Sequence, residues 1–266
     1  MCVTLRPAIM NHTSAMTTTV FNGDDPRSTH ISAYQNVASN RAPGANCMLL
    51  HFPGTDIELV TGPERTHNFM RDITRGLPVI GSTEPTRGVT RGKDARVQEY
   101  GSAYTVVLAE RTGDIADALG RVPEDRRPEL DARFRDMIEW YEQQFSDYSF
   151  VLACFSGDVN PTYPIAVQYF PLNDDELFVP GLDAHDGGLP RIGEEIERSF
   201  RVAFGVQSTE LPTPVRYTDP TWPDWAPDSV AGFVLDGRGP NNDFVVPLLD
   251  LQEGLTGEDL IADLVA

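Results

Sequence analysis

Residues 128–145 read PELDARFRDMIEWYEQQF. Leu130, Phe134, Met137, Ile138, Tyr141 and Phe145 recur at spacings of three and four, while Glu129, Asp131, Arg133, Asp136, Glu139 and Glu142 fill positions between them. An apolar stripe of that period belongs to a helix with one buried face, and Pro128 suits its first turn, where a missing N–H is no loss. Such a helix gains most of its stability from packing, so its stripe must be covered. The stretch therefore predicts one long amphipathic helix lying on a sheet or a second helix.

The flanking sequence supplies the sheet. Short β-branched, aromatic or alternating runs occur at 17–21, 30–38, 46–52, 57–60 and 97–109, and again at 150–155 (FVLACF), 165–170 (IAVQYF), 177–179, 200–206, 230–235 and 244–249. In 30–38, Ile31, Ala33, Gln35 and Val37 share one face, as strand alternation requires. Turn chemistry such as Asn22-Gly23-Asp24-Asp25 and Pro53-Gly54 separates the runs. Shorter helices are expected over 66–76, from Asp114 to Gly120, and at 260–265. There is no repeat of fixed period and no regular alternation of strand with helix. The expected class is α+β: mostly antiparallel β-sheet packed against one long amphipathic helix and a few short ones. Residues 1–16 read as a flexible polar lead-in to a single domain over 17–266, and 81–96 (GSTEPTRGVTRGKDAR) as a long mobile loop.

Charge is distributed unevenly. Residues 1–133 carry 16 acidic and 15 basic residues, whereas residues 134–266 carry 24 and 6, within a formal net charge of −19. A back half of that sign repels phosphate backbones, which excludes nucleic acid as its partner and favours a basic protein or peptide, or a divalent metal. Residues 1–21 hold one arginine and no run of seven apolar residues, and no later stretch approaches the length of a membrane span. With Cys2, Cys47 and Cys154 far apart and no C-x-x-C, neither a disulfide framework nor a zinc knuckle is indicated, and a reducing, cytoplasmic setting is expected.

Four groups of residues are candidates for chemistry. Asp183-Ala184-His185-Asp186-Gly187-Gly188 places three metal-ligand types in four residues, so Asp183, His185 and Asp186 are the candidate metal ligands and Asp183 and His185 candidate catalytic groups. Cys47 and His51 lie four apart on an expected strand, too distant for contact, which leaves Cys47 and Cys154 as small buried hydrophobes. Trp222 and Trp225 form either an aromatic platform or a plug against the core. The phosphate-cradling, nucleophile-elbow and zincin motifs do not occur.

The fourth group is Cys2 itself. A cysteine with a free α-amino group carries nucleophile and base on one residue. The opening Met1-Cys2-Val3-Thr4 resembles the start of the N-terminal nucleophile hydrolases, a superfamily that includes choloylglycine-type amidases. The resemblance covers four residues and implies Cys2 as the nucleophile of an amidohydrolase. The sequence departs from that pattern where Arg6-Pro7 and a polar stretch stand in place of a strand following the cysteine. Met10 and Met16 are alternative starts that would delete Cys2. Composition by itself favours an acidic accessory or binding protein; a metal-assisted hydrolase on Asp183, His185 and Asp186 and an amidohydrolase on Cys2 are the enzymatic alternatives.

Overall fold

The computed structural model describes residues 2–21, 27–60, 68–80, 96–100, 104–159, 164–207, 209–218 and 222–254. In chain order the strands and helices are β1 (Val3–Thr4), β2 (Ala8–Phe21), β3 (Ser28–Asn40), β4 (Ala45–Phe52), β5 (Gly54–Leu59), α1 (Phe69–Thr74), β6 (Val79–Ile80), β7 (Arg96–Tyr100) and β8 (Tyr104–Ala109). They continue with α2 (Ile115–Leu119), α3 (Ala132–Gln144), β9 (Ser149–Ser156), β10 (Asp158–Val159), β11 (Ile165–Pro171) and β12 (Glu176–Val179). The last are β13 (Glu195–Val206), β14 (Thr213–Pro214), β15 (Ser229–Pro240), β16 (Phe244–Pro247) and α4 (Leu248–Gln252).

Half of the described residues are strand and 15% are helical. The expectation of an α+β molecule built around one long amphipathic helix is therefore wrong. The stretch at 128–145 forms only the 13-residue α3, which starts where the Asp131 carboxylate caps the Phe134 N–H at 3.0 Å. Leu130, counted in the stripe, lies outside the helix and is exposed. Only Phe134, Met137 and Tyr141 are buried along α3. The stripe was real, but its ends belong to the flanking loops, and covering the molecule falls to sheet rather than helix.

Two sheets do that work. A five-stranded antiparallel sheet runs β1-β4-β9-β8-β7, and a larger one runs β14-β15-β13-β2-β3-β11-β5, with β10 on β3 and β6 on β15. Within the larger sheet β13 runs parallel to β2, and β6 parallel to β15. Strand alternation sorts its side chains onto two faces. Ala15, Tyr34, Val167, Val202 and Phe204 enter the main apolar cluster, while their neighbours Met16, Ala33, Ala166 and Ala203 pack against Phe69, Met70 and Ile73 around α1. The smaller sheet is buried on both faces, which is why β9 reads as an unbroken apolar run. Met48 of β4 meets Asn36 of the larger sheet, whereas His51 on the opposite face meets Tyr141 and Phe145 beside α3. Two stacked sheets, thinly covered by short helices, result.

The supposed lead-in is also corrected. Residues 3–4 and 8–16 are strand, and β2 is a central strand between β13 and β3. Its polar look misled because threonine is β-branched and its hydroxyl can be satisfied inside: Thr17 Oγ1 donates to the Phe178 carbonyl at 2.6 Å and contacts Ser32 Oγ at 2.6 Å. The 97–109 run is a hairpin of β7 and β8 rather than one strand, and the 244–249 run turns into α4 after Pro247. The expected helix at 66–76 is the shorter α1. Residues 81–95 and 260–265 lie outside the described residues. Among the described residues no helix is long and apolar enough to cross a membrane.

Candidate active site

Cys2 stands at the entry to β1, whose residues Val3 and Thr4 pair with Leu49 and Met48 of β4. A strand therefore does follow the cysteine directly, contrary to the reading of residues 5–16. Pairing even continues past it, because the Asn46 side-chain amide accepts from the Arg6 N–H and donates to the Arg6 carbonyl, both at 3.0 Å. Pro7, lacking an N–H, is where the ladder stops.

The other edge of β1 is taken by residues 183–185. Ala184 bridges Val3 in parallel; the Thr4 N–H donates to the Ala184 carbonyl at 2.9 Å and the Ala184 N–H to the Cys2 carbonyl at 3.2 Å. Extended backbone sends alternate side chains to opposite sides, so Asp183 and His185 share a side with Cys2. His185 Nε2 lies 3.4 Å from Cys2 Sγ and 2.6 Å from Asp183 Oδ1. Residues 183 positions apart in the chain thus form one contact chain of thiol, imidazole and carboxylate.

Residues 241–243 hold the loop in place. The buried Asn241 amide brackets Asp183, accepting from its N–H at 2.7 Å and receiving nothing less in return, since Nδ2 donates to the Asp183 carbonyl at 2.8 Å. Asp243 Oδ1 accepts from the N–H groups of Gly181 and Leu182 at 2.7 and 3.2 Å, and its other oxygen lies 2.8 Å from His51 Nε2. A side chain at position 181 would sit 2.1 Å from the Asn242 carbonyl oxygen, so only glycine lets the two backbones approach. His51, four residues from Cys47, is thus spent on Asp243.

Electrostatics couple the three groups. Burial pulls the His185 pKa down, but the Cys2 sulfur and the Asp183 carboxylate outweigh it and push it up to about 9. Burial works against the Asp183 carboxylate too, yet its hydrogen bond and charge contact with His185 help hold it below the usual range. The Tyr34 hydroxyl is raised by burial first and by the neighbouring Cys2 second. Asn36 donates to Tyr34 at 3.1 Å and accepts from Tyr104 at 2.9 Å, a buried polar relay behind the sulfur.

Two clefts border the pair. One of about 520 Å³ is lined by Met10, Thr13, Asp183, His185, Arg198 and Asp236 among others. A second of about 750 Å³ contains Trp140, Asp183, His185, Asp186 and Glu194. Asp186, grouped with Asp183 and His185 as a metal ligand, is exposed and turns back to accept from the Gly188 N–H at 2.8 Å. Among the described residues no group of three His, Cys, Asp or Glu side chains is placed to hold a metal ion. Cys47 and Cys154 face each other across β4 and β9, fully buried, with Cys47 raised to about 12 by burial. Trp225 packs edge-on against Phe69 and Trp222 stacks on Tyr217, so the tryptophan loop seals α1.

Several of these residues escaped notice in the sequence. Arg198 had a readable signal: Ile196, Arg198, Phe200 and Val202 share the inward face of β13, so a charge stands in an apolar register. Asn241 and Asp243 had none, since Pro240-Asn241-Asn242 reads as an ordinary turn. No protein-family model matches the chain, and comparison with curated proteins and with solved structures found no match either.

Proposed function

We propose that the protein is a thiol-dependent amidohydrolase with Cys2 as nucleophile, Asp183 and His185 serving it, and no metal in the reaction. The observation that carries this reading is the contact chain from Cys2 Sγ through His185 Nε2 to Asp183 Oδ1, at 3.4 and 2.6 Å, at the boundary of two clefts. The four-residue resemblance to N-terminal nucleophile hydrolases points the same way. Cys2 is 2% exposed, and the reading requires that the peptide bond preceding Cys2 be cut, whatever precedes it. That cut frees an α-amine whose ordinary pKa, about 8, suits a base at neutral pH.

The steps follow from those parts. The α-amine takes the thiol proton, and the thiolate adds to the amide carbonyl carbon. The C–N bond breaks as the α-ammonium returns its proton to the departing amine, leaving a thioester on Cys2. Water then adds to the thioester, releasing the carboxylic acid and restoring the thiol. With His185 raised to about 9, the imidazole is a cation at neutral pH and acts on the thiolate by charge, while Asp183 orients it. Among the described residues the metal-assisted alternative has two suitably placed residues rather than three, and docking of a basic protein needs no such constellation.

Intact-mass measurement and iodoacetamide labelling test the reading together. Purified protein should begin at Cys2 and be alkylated there at least about tenfold faster than at Cys47 or Cys154, and Cys2→Ala should hydrolyse no member of an acyl-anilide panel. An uncut bond before Cys2, together with labelling no faster than at Cys47, would sink it.

A further inference from the structure

Arg198 is the least explained charge in the interior. It is 5% exposed, and among the described residues its hydrogen bond runs from Nη2 to the Asn242 carbonyl at a long 3.4 Å. Its Nε has no acceptor among the described residues, and no carboxylate there forms an ion pair with it. Asp183, Asp243 and Glu195 act on it by charge without an ion-pair contact, and the first two are committed elsewhere: Asp183 faces His185, and Asp243 is occupied by Gly181, Leu182 and His51. Beside the guanidinium lie the rings of Phe200 and Phe244, their centroids 5.3 and 5.5 Å from its carbon. Burial draws its pKa down to about 10, which still leaves it a cation at neutral pH.

A buried guanidinium that no carboxylate contacts and whose Nε is unpaired is costly, and proteins keep such a group where a ligand completes it. Arg198 borders the 520 Å³ cleft that Asp183 and His185 also line. The other acids of that cleft, Glu197 and Asp236, are exposed and screened by water, so they weigh less on a bound ligand than the inner cation.

We infer that Arg198 receives a carboxylate, and that the substrates of the Cys2 site are amides bearing a free carboxylate, of the N-acyl amino acid kind. The planar guanidinium, flanked on one side by the two rings, presents its remaining N–H groups as a fork that matches a carboxylate and not a neutral amide. The substrate class rests on the Cys2 reading; the carboxylate site itself does not.

Binding of N-acetylglycine against its neutral counterpart N-acetylglycinamide tests the site without using the thiol. In the unaltered protein and in Cys2→Ala, N-acetylglycine should raise the Tm in a saturable way, and the neutral amide should bind at least about tenfold more weakly. Arg198→Gln should abolish the difference. Should that variant fail to fold, Arg198→Lys, which keeps the charge but loses the fork, should weaken N-acetylglycine about tenfold. Equal binding of the two ligands, or a preference that survives either substitution, overturns the proposal. Failure of the hydrolase reading shows separately, as slow alkylation of Cys2 with carboxylate binding intact.

Discussion

His185 is the residue whose environment does most. Its folded pKa of about 9 lies above the ordinary histidine value, so its contribution to stability is complete below about pH 6.5 and is lost as pH rises through about 9. Asp183 runs the other way: held low, it contributes above the ordinary carboxylate range and loses that contribution as pH falls. The pair is thus strongest from about pH 4 to 6.5. Thermal melts of the unaltered protein and of His185→Gln should differ most in that window and converge by about pH 10. A constant difference across the range would mean that the Asp183–His185 contact carries no charge. His30 shows the opposite case, a histidine lowered to about 4 by burial beside Tyr169, with no hydrogen-bond partner on either ring nitrogen among the described residues.

At the scale of elements, the site depends on a loop acting as a strand. Residues 183–185 complete β1 only because Asn241 satisfies both backbone groups of Asp183. Removing that amide leaves a buried N–H and carbonyl without partners, a loss of about 2 kcal/mol. Asn241→Ala should lower stability by that amount in denaturant titrations and slow Cys2 alkylation as His185 drifts from the sulfur. Asn241→Asp, which keeps only the acceptor, should recover part of each. Stability loss without any change in alkylation would separate the loop from the site. A further irregularity borders the first cleft: β2 bulges between Asn11 and Ser14, with His12 in the left-handed region at φ 54°, next to cleft residues Met10 and Thr13.

The whole molecule carries its charge asymmetrically, with 24 acidic against 6 basic residues in 134–266. Self-repulsion of that size opposes folding, and salt shortens its reach from about 30 Å at 0.01 M to about 3 Å at 1 M. The Tm should therefore rise with sodium chloride across that range, with most of the gain below about 0.2 M. A flat or falling Tm in calorimetry would show that local pairing already neutralises the acidic half. The same field meets the inferred substrate carboxylate, so screening should also tighten N-acetylglycine binding until salt weakens its contact with Arg198.

What the sequence determined by itself is local. Alternation in 30–38 and the apolar runs at 150–155 and 165–170 became β3, β9 and β11, and Cys2, Asp183 and His185 stood out as candidates residue by residue. Period and side-chain type are properties of a few neighbouring residues, so they survive in one dimension. The extent of α3, the order within residues 2–16 and the threonine-rich core of β2 were not legible, because each depends on hydroxyls and amides finding partners contributed by distant strands. Cys2 and His185 appeared as two unrelated candidates for the same reason. Only the pairing of β1 with a segment some 180 residues away, fixed by Asn241 and Asp243, makes them one site.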